Sequence, residues 1–212
     1  MKKTYALVFG LISWLAVIIQ YFLMLENREA GIMETTIRFL SFFTILTNTL
    51  VAVYFTKHAL RGSQRSQSIW NKPGTLSSIT VYILVVGLVY QVVLRPIWDP
   101  QGMARVVDEL LHSINPLLVL FFWFKFEEKE KVTWNKVPKW LLYPFLYFIW
   151  AMSHGLVTGF YPYPFVNLPE IGWTRLMINF ISLLAVFSVL SLSLIWTGKK
   201  IHPKRYPNHT PL

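Results

Sequence analysis

Two side chains in this sequence are suited to acyl-transfer chemistry, and both fall where water is scarce. Thr44 and His112 each lie some way inside an apolar stretch. A threonine hydroxyl is a weak nucleophile until a base takes its proton, and imidazole is the side chain best matched to that task near neutral pH. Thr44, Thr47 and Asn48 sit at i, i+3 and i+4, on one face of a helix. Asp108 precedes His112 by one helical turn, placed either to orient the ring or to face water. Pro116, four residues beyond, withholds the amide that would bond the His112 carbonyl. Arg95, just before Pro96, is suited to grip a carboxylate or phosphate, or to snorkel to headgroups. His154 reads as a second acid–base group or as a satisfied histidine between helices. His112 and His154 lack a carboxylate clearly at their depth, so no metal and no cofactor is expected.

The elements that must position these residues are set by hydropathy. Of 212 residues, 54% are hydrophobic and 14% charged, too little charge for a soluble domain of this length. Six apolar segments predict an all-α, six-helix transmembrane bundle, at roughly 4–25, 36–57, 77–97, 104–124, 138–159 and 173–197. Period-two alternation is lacking, which argues against a membrane barrel. The N-terminal run is too long for a secretory leader and reads as a retained first helix. Residues 1–198 form one domain, and 199–212 a basic tail. With no cysteines, disulfides and thiol chemistry are excluded.

The formal charge of +10 sits in loops between apolar segments. It therefore points to topology and anionic lipid headgroups, not nucleic acid. With the N-terminus inside, the inner segments carry 15 of the 20 Lys and Arg residues, including Arg61, Arg65, Lys204 and Arg205. That bias predicts cytoplasmic termini in the cell (plasma or inner) membrane. The same topology places Thr44, Thr47, Asn48, Gln91, Arg95, His112, Asn115, His154, Thr158 and Asn179 in the outer half of the bilayer. Thr44 and His112 share a depth of roughly 12 Å below the outer surface at about 1.5 Å per residue. A one-sided polar cluster in hydrocarbon suggests a site; interhelical hydrogen bonding is the plainer reading.

The segments Phe42-Phe43-Thr44-Ile45-Leu46-Thr47-Asn48, His112-Ser113-Ile114-Asn115-Pro116 and Tyr161-Pro162-Tyr163-Pro164-Phe165 resemble those of a known family. It comprises bacterial six-span membrane proteins related to the eukaryotic androgen-induced and androgen-dependent proteins, threonine hydrolases of fatty acid esters of hydroxy fatty acids. The resemblance implies an intramembrane lipid-ester hydrolase with Thr44 as nucleophile and His112 as base, Thr47 being the alternative nucleophile. Asn48, Asn115 or Asn179 would supply oxyanion donors, and Arg95 would hold a substrate carboxylate. Two other classes compete: a small transporter or channel using the same cluster as a pocket, and a non-catalytic membrane scaffold.

Overall fold

The first helix, α1 (Lys2–Glu26), shows on its own surface which solvent this protein is built for. Ala6, Phe9, Gly10, Ser13, Ala16 and Val17 are buried along one stripe. The opposite stripe of Leu7, Leu11, Leu15, Ile18 and Phe22 is exposed, about half or more of each side chain. A helix with an apolar outer face belongs in lipid. The inner stripe is narrow because Gly10 admits close approach: a Cβ there would stand 3.2 Å from the Phe55 Cβ.

The computed structural model describes residues 1–60 and 68–201, and these form an all-α bundle. After α1 come α2 (Ile32–Leu40), α3 (Phe43–Leu60), α4 (Thr75–Leu94), α5 (Met103–Phe126), α6 (Val137–Thr158) and α7 (Leu168–Ile201). Five of them are each long and apolar enough to cross a bilayer, and the bent pair α2–α3 makes a sixth if it counts as one span. α3 and α4 occupy the centre, and α7 the periphery. The Lys2 ammonium lies 5.8 Å from the Phe126 ring, and Gly198 packs on the Lys129 stem. Both ends of the bundle's chain path therefore meet at one pole. At that pole Glu127 caps α4, accepting from the Gly74 and Ser77 amides and the Ser77 hydroxyl at 2.9–3.2 Å.

Four of the expected spans match their helices within a few residues. The last, expected at 173–197, is helical from Leu168 to Ile201 with a break at Gly172 (φ 71°), where the left-handed backbone suits glycine. The basic tail begins inside this helix, since Lys199 and Lys200 are still helical. Arg61, Arg65, Lys204, Arg205 and the rest of the tail beyond 201 lie outside the described residues.

The second span departs from expectation. It is not one helix over 36–57 but two, bent by 76° at Ser41–Phe42. Neither glycine nor proline marks the spot. The break persists because two phenols from elsewhere satisfy the backbone groups it frees. Tyr147 donates to the Ser41 carbonyl at 2.9 Å, at the end of α2. Tyr163 accepts from the Thr44 amide at 3.2 Å, at the start of α3. In hydrocarbon an unsatisfied backbone group costs several kcal/mol, so such partners decide whether a helix can break.

Candidate active site

The break in α2–α3 places Thr44 in the first turn of α3, facing α5. Across from it, α5 widens into an underwound π-turn at Leu110–Ile114 with His112 at its centre. The Asn115 amide bonds back to Leu110, and Pro116 offers no amide, so the Leu111 carbonyl lacks its helical partner. Asn48 supplies the missing donor at 3.3 Å, while its amide also bonds the Thr44 carbonyl at 2.9 Å. The Asn48 oxygen accepts from Asn115 at 2.7 Å, and Ser13 from α1 donates to Asn115 at 3.3 Å. Opposite, Gly87 of α4 lets the π-turn lie close, since a Cβ there would be 3.0 Å from the His112 carbonyl oxygen.

The π-turn turns the imidazole toward Thr44. His112 Nε2 is 3.3 Å from Thr44 Oγ1. The other ring nitrogen is held by Asp108 twice, at 2.9 Å by its backbone carbonyl and at 3.1 Å by its carboxylate Oδ1. Two acceptors at Nδ1 place the proton there, so Nε2 presents a lone pair to the threonine hydroxyl. The Tyr90 hydroxyl donates to Asp108 Oδ2, and its ring stacks on the imidazole with centroids 4.2 Å apart. Tyr90 opens a second π-turn, Tyr90–Leu94, so the two bulges face each other across the histidine. Asp108, His112 and Thr44 thus form a continuous carboxylate–imidazole–hydroxyl relay in which Asp108 is 8% and Thr44 7% exposed.

Tyr163 completes the group from the far side. Its hydroxyl lies 3.3 Å from Thr44 Oγ1 and accepts from the Thr44 amide. Burial pushes its phenol above the ordinary value, so at neutral pH it remains a proton donor. The loop carrying it is anchored. Tyr161 packs so closely on Gly155 that a Cβ there would sit 2.2 Å from the ring. Asn179 donates to the Phe165 carbonyl at 2.8 Å, tying the loop to α7.

Beside Thr44 and Tyr163, between α4, α6 and α7, lies a narrow apolar chamber, open on one side, with a cavity volume of about 70 Å³. Its lining is aliphatic and aromatic except where Thr44 and the tyrosines meet it. His112 lies on the other side of Thr44 and does not line it.

Several expected roles change. Thr47 is fully buried and faces Tyr143 at 3.3 Å, so Thr44 is the threonine beside the imidazole. Asn48 spends both amide hydrogens on the Thr44 and Leu111 carbonyls, which corrects its expected role as an oxyanion donor, while Asn115 and Asn179 each donate one, to Asn48 and to the Phe165 carbonyl. Arg95 is already paired with Glu109 and with Gln91 at 2.6 Å, and Ser113 closes the ring to Glu109 at 2.5 Å. His154 is not bonded to the relay: its Nδ1 meets Ser41 at 3.4 Å and Nε2 is buried without a partner. Thr158 bonds the His154 carbonyl and caps Phe160. Among the described residues, no cluster of three metal-ligating side chains exists.

Tyr90, Tyr147 and Glu109 were not anticipated. In a chain with 10 Tyr, 16 Phe and 9 Trp, a functional phenol is not distinguishable from an interfacial anchor by type alone. Fold and site together define a helical membrane protein with a buried threonine–histidine–aspartate relay opening on an apolar chamber. No protein-family model matches this chain, and no curated protein or solved structure matches it either.

Proposed function

We propose that the protein is an intramembrane hydrolase of lipid carboxylic esters, with Thr44 as nucleophile and His112 as general base. The observation that carries this reading is the position of Thr44, its hydroxyl 3.3 Å from His112 Nε2 and the residue itself lining an apolar chamber. A hydrogen-bonding cluster that served only to join helices would need no such chamber at its nucleophilic oxygen. The resemblance of the Thr44, His112 and Tyr163 segments to the threonine hydrolases of fatty acid esters of hydroxy fatty acids points the same way.

In this reading Thr44 Oγ1 attacks the ester carbonyl carbon as its proton passes to His112 Nε2. The imidazolium so formed is stabilised by the Asp108 carboxylate, whose second oxygen Tyr90 holds. The Tyr163 hydroxyl turns its proton from Thr44 Oγ1 to the developing oxyanion. The carbonyl-to-alkoxy bond then breaks, and the alcohol oxygen takes the proton back from His112. Water, deprotonated by the same ring, adds to the threonyl ester and releases the fatty acid and Thr44. The 3.3 Å contact is at the long end for a hydrogen bond, as resting hydrolase geometries often are before substrate tightens them.

The reading also places the chain in the cell membrane with cytoplasmic termini. The supporting observation is the lysine-rich pole formed by Lys2, Lys129, Lys136 and Lys199, opposite the relay. Anionic headgroups would gather at that pole.

The test is covalent labelling of the purified protein by a fluorophosphonate, with 4-nitrophenyl ester turnover in parallel. Thr44→Ala is expected to abolish both, His112→Ala to slow both by at least a hundredfold, and Thr47→Ala to preserve labelling. Labelling that survives in Thr44→Ala refutes the assignment.

A further inference from the structure

We infer that the chamber between α4, α6 and α7 receives the acyl half of the ester, while the alcohol half lies across the relay toward the Arg95–Glu109 rim; this rests on the hydrolase reading. The two sides of Thr44 differ in chemistry. On one side Val86, Val89, Phe148, Phe180, Leu184 and Phe187 present only hydrocarbon. The lining residues with polar side chains are Thr44, Tyr147 and Tyr163. On the other side stands His112, and beyond it Gln91, Arg95, Glu109 and Ser113 form a connected polar ring. The Arg95 side chain is 43% and the Glu109 side chain 32% exposed, so this ring is open.

Reaction geometry selects one of the two ways an ester can lie. The leaving oxygen must face the group that protonates it, which is His112 Nε2. The oxyanion must face Tyr163, which lines the chamber. The acyl carbon chain then extends away from His112, into the chamber. The alcohol extends past His112 toward the polar rim, where an alcohol bearing hydroxyl or charged groups would be solvated and a second bare alkyl chain would not. The narrow chamber thus selects among acyl chains and favours unbranched ones, and the open rim tolerates polar alcohols. Bulk is limited on the acyl side, where Phe148 and Phe180 stack with centroids 4.1 Å apart across the α6–α7 contact.

The test compares two ester series with the intact protein in detergent micelles. In 4-nitrophenyl esters of increasing acyl length, kcat/KM is expected to rise about fourfold per methylene until the chamber is filled. In acetate esters of increasingly long alkyl alcohols, it is expected to stay within about threefold throughout. Leu184→Trp and Val86→Phe, which fill the chamber from opposite walls, are expected to cut the decanoyl-to-butyryl ratio of kcat/KM at least tenfold. Phe180→Ala, which enlarges it, is expected to shift the optimum to longer chains. The orientation is overturned if ester turnover depends on alcohol length and not acyl length, or if the filled variants keep the wild-type ratio. Wild-type protein that cleaves no ester and resists labelling overturns the hydrolase reading itself, and the orientation with it.

Discussion

Asp108→Asn separates the two things Asp108 does to His112. In serine-protease triads the equivalent change costs about 10⁴ in kcat, largely because asparagine stabilises the wrong imidazole tautomer. Here the backbone carbonyl of the same residue also accepts from Nδ1, at 2.9 Å, and survives the substitution. The new amide can keep its oxygen toward Nδ1 and turn its nitrogen to the Tyr90 oxygen, so the tautomer is retained. What is lost is the charge that stabilises the imidazolium, which exists only once Thr44 has given up its proton. Unit charges about 4 Å apart at an effective dielectric near 20 attract by about 4 kcal/mol. Tyr90 draws part of the carboxylate charge to itself, which reduces this to about 2 kcal/mol at the lower bound. At about 1.4 kcal/mol per decade, kcat should fall between about 30-fold and 10³-fold, with KM nearly constant. The assay is steady-state hydrolysis of a 4-nitrophenyl ester, checked by the rate of fluorophosphonate labelling. A fall beyond about 10⁴ would show that the backbone carbonyl does not hold the tautomer. A fall under threefold would mean that no positive imidazole faces Asp108 during turnover, and the relay would be wrong.

Other substitutions test the scaffold around that relay. Tyr163→Phe keeps the ring stack on Phe165 but removes both the oxyanion donor and the acceptor of the Thr44 amide, and should lower kcat at least about 10²- to 10³-fold and cost about 1–3 kcal/mol in a denaturation titration as the α2–α3 break loses a partner. Gly155→Ala drives a methyl into the Tyr161 ring, and should cost about 1–3 kcal/mol in a denaturation titration as the Tyr163 loop is pushed out. Asn48→Leu leaves the Leu111 carbonyl of the π-turn without a donor, with an expected loss of about 1–3 kcal/mol and slower labelling at Thr44. Burial beside Trp123 and Phe124 lowers the Lys129 ammonium below its ordinary value. The unfolded chain then binds the extra proton between the lowered value and about 10.5, so stability should rise with pH across that alkaline window and flatten in Lys129→Met.

The membrane character, the all-helical class and most helix bounds are legible in the order of residues, because a bilayer allows backbone polar groups few other partners than their own helix. The equal depth of Thr44 and His112 follows from counting along alternating spans, and the structure places them 3.3 Å apart. Charge bias in the loops suggests which pole is basic, and the contacts of Lys2 with Phe126, Lys129 with Gly198 and Lys199 with Trp134 gather that pole in space.

Tertiary structure decided the rest. The break between α2 and α3 carries no proline or glycine; it exists because Tyr147 and Tyr163, more than a hundred residues downstream, bond the groups it exposes. The π-turn around His112 is visible locally only as Pro116, and its cost is met by Asn48 on another helix. The choice of Thr44 over Thr47 beside His112 is a matter of rotation about α3, which one-face periodicity leaves open, since i and i+3 share that face. Hydropathy reports how much of each segment leaves water. It does not report which side chain on one helix completes the hydrogen bonding of another, and in this protein that pairing builds the site.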